Sequence, residues 1–167
     1  MIPPIDTSHM TILRGDGTWP WSAWIDGADI VVLNAKTTAF GGANDNGDNG
    51  ETASGLSTRM NPNFIGCALP MAYTGNGAAL KAALGGSPIP KIPWRTPVIV
   101  TEVSTGRQIS AQVIDLGPAK KTGHALDLTV AAARMFNSHA TANNFGTICH
   151  YRIPGGAKYI QGGAAKS

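Results

Sequence analysis

Glycine is the feature that most constrains this chain. It fills 21 of 167 positions, and proline fills 11 more. Inside a helix each glycine costs about 1 kcal/mol relative to alanine and each proline about 3. A coiled coil or a helical bundle is therefore excluded. Hydrophobic residues make up 43% of the chain and charged residues only 14%, which excludes a disordered acidic or basic tail. The remaining expectation is a loop-rich, largely β chain forming one domain. The net charge of +3 is mild and its lysines and arginines are scattered. A nucleic-acid partner would call for a clustered basic face, so none is expected. No stretch approaches the roughly 18 apolar residues of a membrane span. The opening residues, Met1 to Asp6, lack the basic segment and apolar run of a secretory signal.

The turn formers are unevenly spread, and that spread locates the elements. Residues 1 to 28 hold Trp19, Trp21 and Trp24 in a setting broken by Gly and Pro, which reads as an irregular arm packed on the domain. Ile30-Val31-Val32-Leu33 is a β-branched run leading into a strand at Thr37 to Phe40. Gly, Asn and Asp crowd residues 41 to 55 (GGANDNGDNGETASG) and specify a loop. Asn76, an N-cap type, precedes an Ala- and Leu-rich segment ended by Gly85-Gly86, which predicts a short helix over 76–84. Pro88, Pro90, Pro93 and Pro97 mark an extended connector around Trp94. Val98 to Val103 and Gln108 to Ile114 read as two strands joined by a hairpin at Ser104-Thr105-Gly106. Thr129 caps an Ala-rich helix from Val130 to Phe136. Thr147 to Ile153 is the last strand, and the tail from Pro154 to Ser167 reads as loose.

Metal and disulfide chemistry find little purchase. The loop at 41 to 55 invites a calcium reading, since Asn44, Asn46 and Asp48 alternate. The twelfth position, where a calcium loop needs Glu, is Gly55. The four histidines are dispersed and the two cysteines, Cys67 and Cys149, form no CxxC pair, so no metal and no cofactor are expected. The cysteines fit either two buried thiols or one long-range disulfide.

The segment richest in chemistry is Val113-Ile114-Asp115-Leu116-Gly117-Pro118, followed by Gly123-His124-Ala125-Leu126-Asp127-Leu128-Thr129. An acid ends an apolar strand at a Gly-Pro turn, and twelve residues later a second acid sits in an apolar run that feeds a helix. A carboxyl partly withdrawn from water at such a strand end suits general acid chemistry. The alternative is structural, with Asp115 capping the turn and Asp127 bonding backbone near the helix start.

This segment resembles the signature of double-psi β-barrel proteins of the rare-lipoprotein-A type. They carry an Asp-x-Gly-Pro turn, a Gly-Arg-x-x-Asp-Leu-Ser-like strand and an Ala-rich helix. Thr52-Ala53-Ser54-Gly55 is similar to that family's earlier turn, Phe40-Gly41-Gly42 to the opening of expansins, and Cys67-Ala68-Leu69-Pro70 to a middle Leu-Pro segment. The resemblance covers residues 36 to 153. It implies a mainly β fold, a six-stranded double-psi barrel with a few short helices, with residues 1–35 as an N-terminal arm and 154–167 as a Gly-rich tail. It also implies action on a wall polysaccharide such as peptidoglycan, by a lytic transglycosylase or glycoside hydrolase working as a monomer. The expected place is the cell envelope or outside the cell, reached without a signal or with a signal absent from this chain.

Asp115 matches the family's essential acid and Asp127 the second candidate. Sugar contacts are expected from Phe40, Tyr73 and Trp94, which offer stacking faces, and from Asp48, Lys120 and His124. Three positions depart from the pattern. Leu56 stands where the family has glutamate, Gly66 where it has histidine, and His124 where it has the second-strand arginine. A lytic transglycosylase needs one acid, whereas inverting hydrolysis needs a second carboxylate, with Asp127 or Asp48 as candidates. The departures leave two alternatives: an expansin-like module that binds without cleaving, or a secreted toxin or phage component built on the same barrel.

Overall fold

The structure, a computed structural model, describes residues 22–42, 50–69, 92–117 and 124–159. These residues are mainly β and close into a six-stranded barrel of mixed parallel and antiparallel strands. The strands are β1 (Ser22–Asp26), β2 (Asp29–Phe40), β3 (Gly66–Leu69), β4 (Pro97–Glu102), β5 (Gln108–Leu116), β6 (Leu126–Thr129) and β7 (Gly146–Ile153). Around the ring the order is β2-β6-β3-β5-β4-β7, and β7 closes on β2. Two pairs are parallel, β2 with β6 and β3 with β5. The scheme maps onto itself when β2, β3 and β4 exchange with β5, β6 and β7. Each half interlocks with the other, since β6 lies between β2 and β3, and β3 lies between β5 and β6.

The described part of the expected arm is regular. β1 pairs with the first half of β2 in a hairpin that turns at Gly27, whose φ is +62°. Ile30 to Leu33 are all buried, Ile30 and Val32 on the barrel core and Val31 and Leu33 in a separate cluster. A strand covered on both faces needs an unbroken apolar run, and IVVL supplies it. At Asn34, with φ +57°, the β2–β7 register shifts. Beyond that point inward Ala35, Thr37 and Ala39 alternate with outward Lys36, Thr38 and Phe40.

The interior is filled by side chains, so the barrel is no pore. Cys67, Leu69, Val98, Val100, Leu126, Leu128 and Tyr151 all lie within it, and the Tyr151 hydroxyl donates to the Ala125 carbonyl at 3.1 Å. Cys67 and Cys149 are buried free thiols. Burial pushes the Cys149 thiol up to about 11. The expected helix after Thr129 is shorter than its Ala-rich sequence suggests. Among the described residues, α1 (Val130–Ala133) is the one α-helix, followed by turn, and Thr129 caps it by accepting from Ala132 N. The start of the expected tail forms a 3-10 turn at Gly156–Tyr159, with Gly156 against Ile30 and Ile153. The helix expected over 76–84 lies outside the described residues.

Where β2 leaves the barrel, Gly41 holds φ +77° and a Cβ built there would sit 2.5 Å from Thr58 Oγ1 and 2.8 Å from its Cβ. Thr58 is itself fixed, its hydroxyl donating to Gly50 O and accepting from Gly42 N. Gly41→Ala is expected to lose about 3 kcal/mol, from left-handed strain plus overpacking. Gly27→Ala, with nothing within 4 Å of its Cβ, is expected to lose about 1 kcal/mol from strain alone. Urea unfolding of the two variants checks the difference.

Candidate functional site

The two aspartates are brought together by register. Ala68 on β3 pairs with Asp115 on β5 and with Asp127 on β6, and Asp127 pairs in turn with Thr38 on β2. Register partners in a sheet point to the same face. Thr38, Asp127, Ala68 and Asp115 therefore form one row across the outside of four strands. The aspartates are both half-buried and lie two strand spacings apart, about 10 Å at the backbone. Ala68 between them is itself covered, only 3% exposed.

Asp115 reaches this row because of a bulge. Along β5, Ile109, Ala111 and Val113 point inward, and simple alternation would send Asp115 inward next. Instead Cys67 pairs with Val113 and Ala68 with Asp115, so that Ile114 is an extra residue. The insertion flips every side chain after it. Asp115 turns out, and Leu116 packs against the core. The turn at residues 52–56 covers the bulge. Ser54 N donates to Ile114 O at 3.1 Å. Asp115 Oδ1 accepts from Ala53 N at 3.0 Å and from Leu116 N at 2.9 Å. The turn is braced by the Thr52 hydroxyl, which meets Ser54 Oγ at 2.9 Å and donates to Leu56 O at 2.8 Å. An oxygen accepting two N–H bonds does not carry the proton, so a proton on Asp115 rides on Oδ2.

Asp127 is oriented from the other side. Thr38 Oγ1 donates to its Oδ1 at 2.7 Å and lies 3.4 Å from His124 Nδ1. The hydroxyl has one hydrogen and gives it to Asp127. His124 therefore interacts with Thr38 as an Nδ1–H donor. This draws Asp127 toward β2, away from Ala68. His124 is held below the usual histidine range by burial and by the nearby Lys36 charge.

His150 is likewise held down by burial, and its Nδ1 accepts from Asn34 N at 3.0 Å where β2 is bulged. Both histidines bind a proton less readily in the folded protein than in the unfolded chain. Stability is therefore expected to be complete above about pH 6.5, the unfolded value, and to fall as pH drops through it. Melting temperatures from pH 8 to 5 test this. His150→Gln is expected to flatten the acid side of the curve, and an unchanged slope would refute the assignment.

The other expected residues are placed as follows. Phe40 ends β2, half-buried, opposite Thr129 of β6. Trp94 packs partly buried against the core. Asp48, Tyr73 and Lys120 lie outside the described residues. Leu56 is half-buried in the turn over the bulge. At Gly66 a Cβ would come within 2.9 Å of Ile114 Cδ1 and 3.0 Å of the Phe64 ring, so a side chain there requires these side chains to shift. Thr38, Ala68 and Lys36 are not singled out in the sequence as site residues, since their roles depend on which strand lies alongside.

Beside Asp127 a groove of about 340 Å³ opens along β2 and β7, lined by Lys36, Thr38, His124, Gly146, Thr147 and Ile148 among others. A smaller pocket of about 110 Å³ lies between Gly41, Gly42, Pro62, Val130 and Arg134. Among the described residues no group of three or more His, Cys, Asp or Glu is placed to hold a metal ion, and no helix is long and apolar enough to cross a membrane. No protein-family model matches the chain, and no curated protein matches it either.

Proposed function

We propose that this protein cleaves the glycan of a bacterial cell wall, peptidoglycan, in the manner of a lytic transglycosylase acting in the envelope or outside the cell. The observation that carries the reading is the shared register of Asp115 and Asp127 on Ala68. It sets two carboxyl groups on one outer face, each with one oxygen held by the scaffold. Asp115 donates its Oδ2 proton to the glycosidic oxygen as the C1–O bond breaks. The sugar's own 6-hydroxyl oxygen then bonds to C1, and its proton returns to Asp115 Oδ2. Asp127, held by Thr38 on the same outer face, adds negative charge that favours the positive charge developing at C1. No water is consumed. The hydrogen bond that draws Asp127 toward β2, away from Asp115, argues against the retaining double displacement, which needs carboxyls about 5–5.5 Å apart.

Mass spectrometry of soluble products from purified sacculi tests the reading. Anhydro-sugar muropeptides are the expected product. New reducing ends in their place would move the chemistry to inverting hydrolysis with Asp127 as base. No new ends of either kind would reject cleavage.

A second reading, binding without cleavage, draws support from Gly66 and Leu56. They stand where the resembling family has histidine and glutamate, so this chain offers neither side chain at those positions. That reading expects pull-down on insoluble sacculi with no new chain ends.

A further inference from the structure

The groove beside Asp127 has a charge pattern that cleavage does not require. Its floor is open because Gly146, opposite Thr38 in the β2–β7 pairing, has nothing within 4 Å of a Cβ position. Lys36 stands exposed on the same outer face of β2, opposite Ile148, and the His124 imidazole also lines the groove. Among the described residues, the charged groups near His124 come from two strands. β2 gives Lys36, and β6 gives Asp127 behind Thr38. Residues 146–148 of β7 carry no charge. Glu102 of β4 is buried behind Thr147, whose hydroxyl donates to it at 2.9 Å. Each acid is thus turned toward a threonine hydroxyl that donates to it, while a lysine and an imidazole line the open space.

We propose that this groove binds a carboxylate of the substrate between Lys36 and the protonated His124, so that binding takes up a proton. The proposal rests on the glycan reading above and names the chemical group recognised beside the cleaved bond. With Nδ1–H turned to Thr38, the neutral imidazole offers only an acceptor at Nε2. Protonation makes Nε2 a second donor, and the anion removes the penalty that Lys36 imposes on the imidazolium. Wall glycan supplies carboxylates from two sources, the muramyl ether and the peptide stem, and both present the same group.

The test is an NMR titration of the His124 ring in the full chain. The probes are N-acetylmuramic acid and N-acetyl-D-glutamate, each beside its methyl ester. At least one acid is expected to raise the His124 midpoint and to bind about tenfold more tightly than its ester, and Lys36→Gln is expected to remove about that factor. Binding is expected to strengthen from pH 7.5 to 5.5. The acid that binds identifies the source. Equal binding of acid and ester, an unmoved His124 midpoint at saturation, or no binding of either acid at millimolar concentration would overturn the proposal. Carboxylate binding without cleavage of sacculi would overturn only the glycan-cleaving reading. Cleavage without carboxylate discrimination would overturn only this one.

Discussion

Asparagine at position 115 is expected to slow release of soluble muropeptides by about 10²- to 10⁴-fold, the usual contribution of a general acid. The reason is specific to the geometry. An asparagine side-chain oxygen still accepts from Ala53 N and Leu116 N, as Asp115 Oδ1 does, so the turn over the bulge stays docked. What is lost is the proton at the second position. Melting temperature is therefore expected to stay within a few degrees of wild type while the rate collapses. Asp115→Ala removes the acceptor as well and is expected to cost about a further 1 kcal/mol of stability. Asp127→Asn is expected to slow the reaction less than Asp115→Asn, because Asp127 acts through charge and moves no proton. Initial rates on sacculi, measured beside thermal melts, check all three. A wild-type rate in the Asp115→Asn chain would remove Asp115 from the mechanism.

Methionine in place of Arg152 is expected to lose about 3 kcal/mol in urea unfolding. Arg152 lies on β7, 5% exposed. Its NH1 bonds Asp29 Oδ2 at 2.8 Å and its NH2 bonds Asp26 Oδ2 at 2.9 Å. Asp29 Oδ1 also accepts from Gly155 N. One guanidinium thus ties both ends of the β1–β2 turn to the last strand and to the turn after it. Removing the arginine leaves two partly withdrawn carboxylates without their cation, and that loss exceeds the net value of the intact cluster. Adding Asp26→Asn and Asp29→Asn to Arg152→Met is therefore expected to restore part of the stability. A loss below about 0.5 kcal/mol on Arg152→Met would mark the cluster as an ordinary surface contact.

Much of the barrel is legible as alternation. Val98 to Val103 and Gln108 to Ile114 lie within a residue or two of β4 and β5, because antiparallel neighbours with one covered face write a period of two into the sequence. β1 was not legible. It lies in a stretch broken by glycine and proline, and its pairing is made by the hairpin at Gly27. β3 is four residues long, too short for a periodic signal, and its place between β5 and β6 depends on chain far away in sequence. Asp115 stood out at the end of an apolar strand and Asp127 within an apolar run, but nothing local said that they share a face.

The sequence by itself determined that this chain builds β structure with tight turns, since so many glycines and prolines cannot sit in helices. It also determined that one acid closes an apolar strand at a Gly-Pro turn and that a second sits in an apolar run feeding a helix. Only the tertiary structure decided where those acids point. In β5 the pattern of Ile109, Ala111 and Val113 sends position 115 into the core, and it is the extra residue Ile114, opposite Cys67 and Ala68, that turns Asp115 outward. A bulge is a property of two strands in register. It exists only once β3 lies against β5, and no reading of β5 alone contains it.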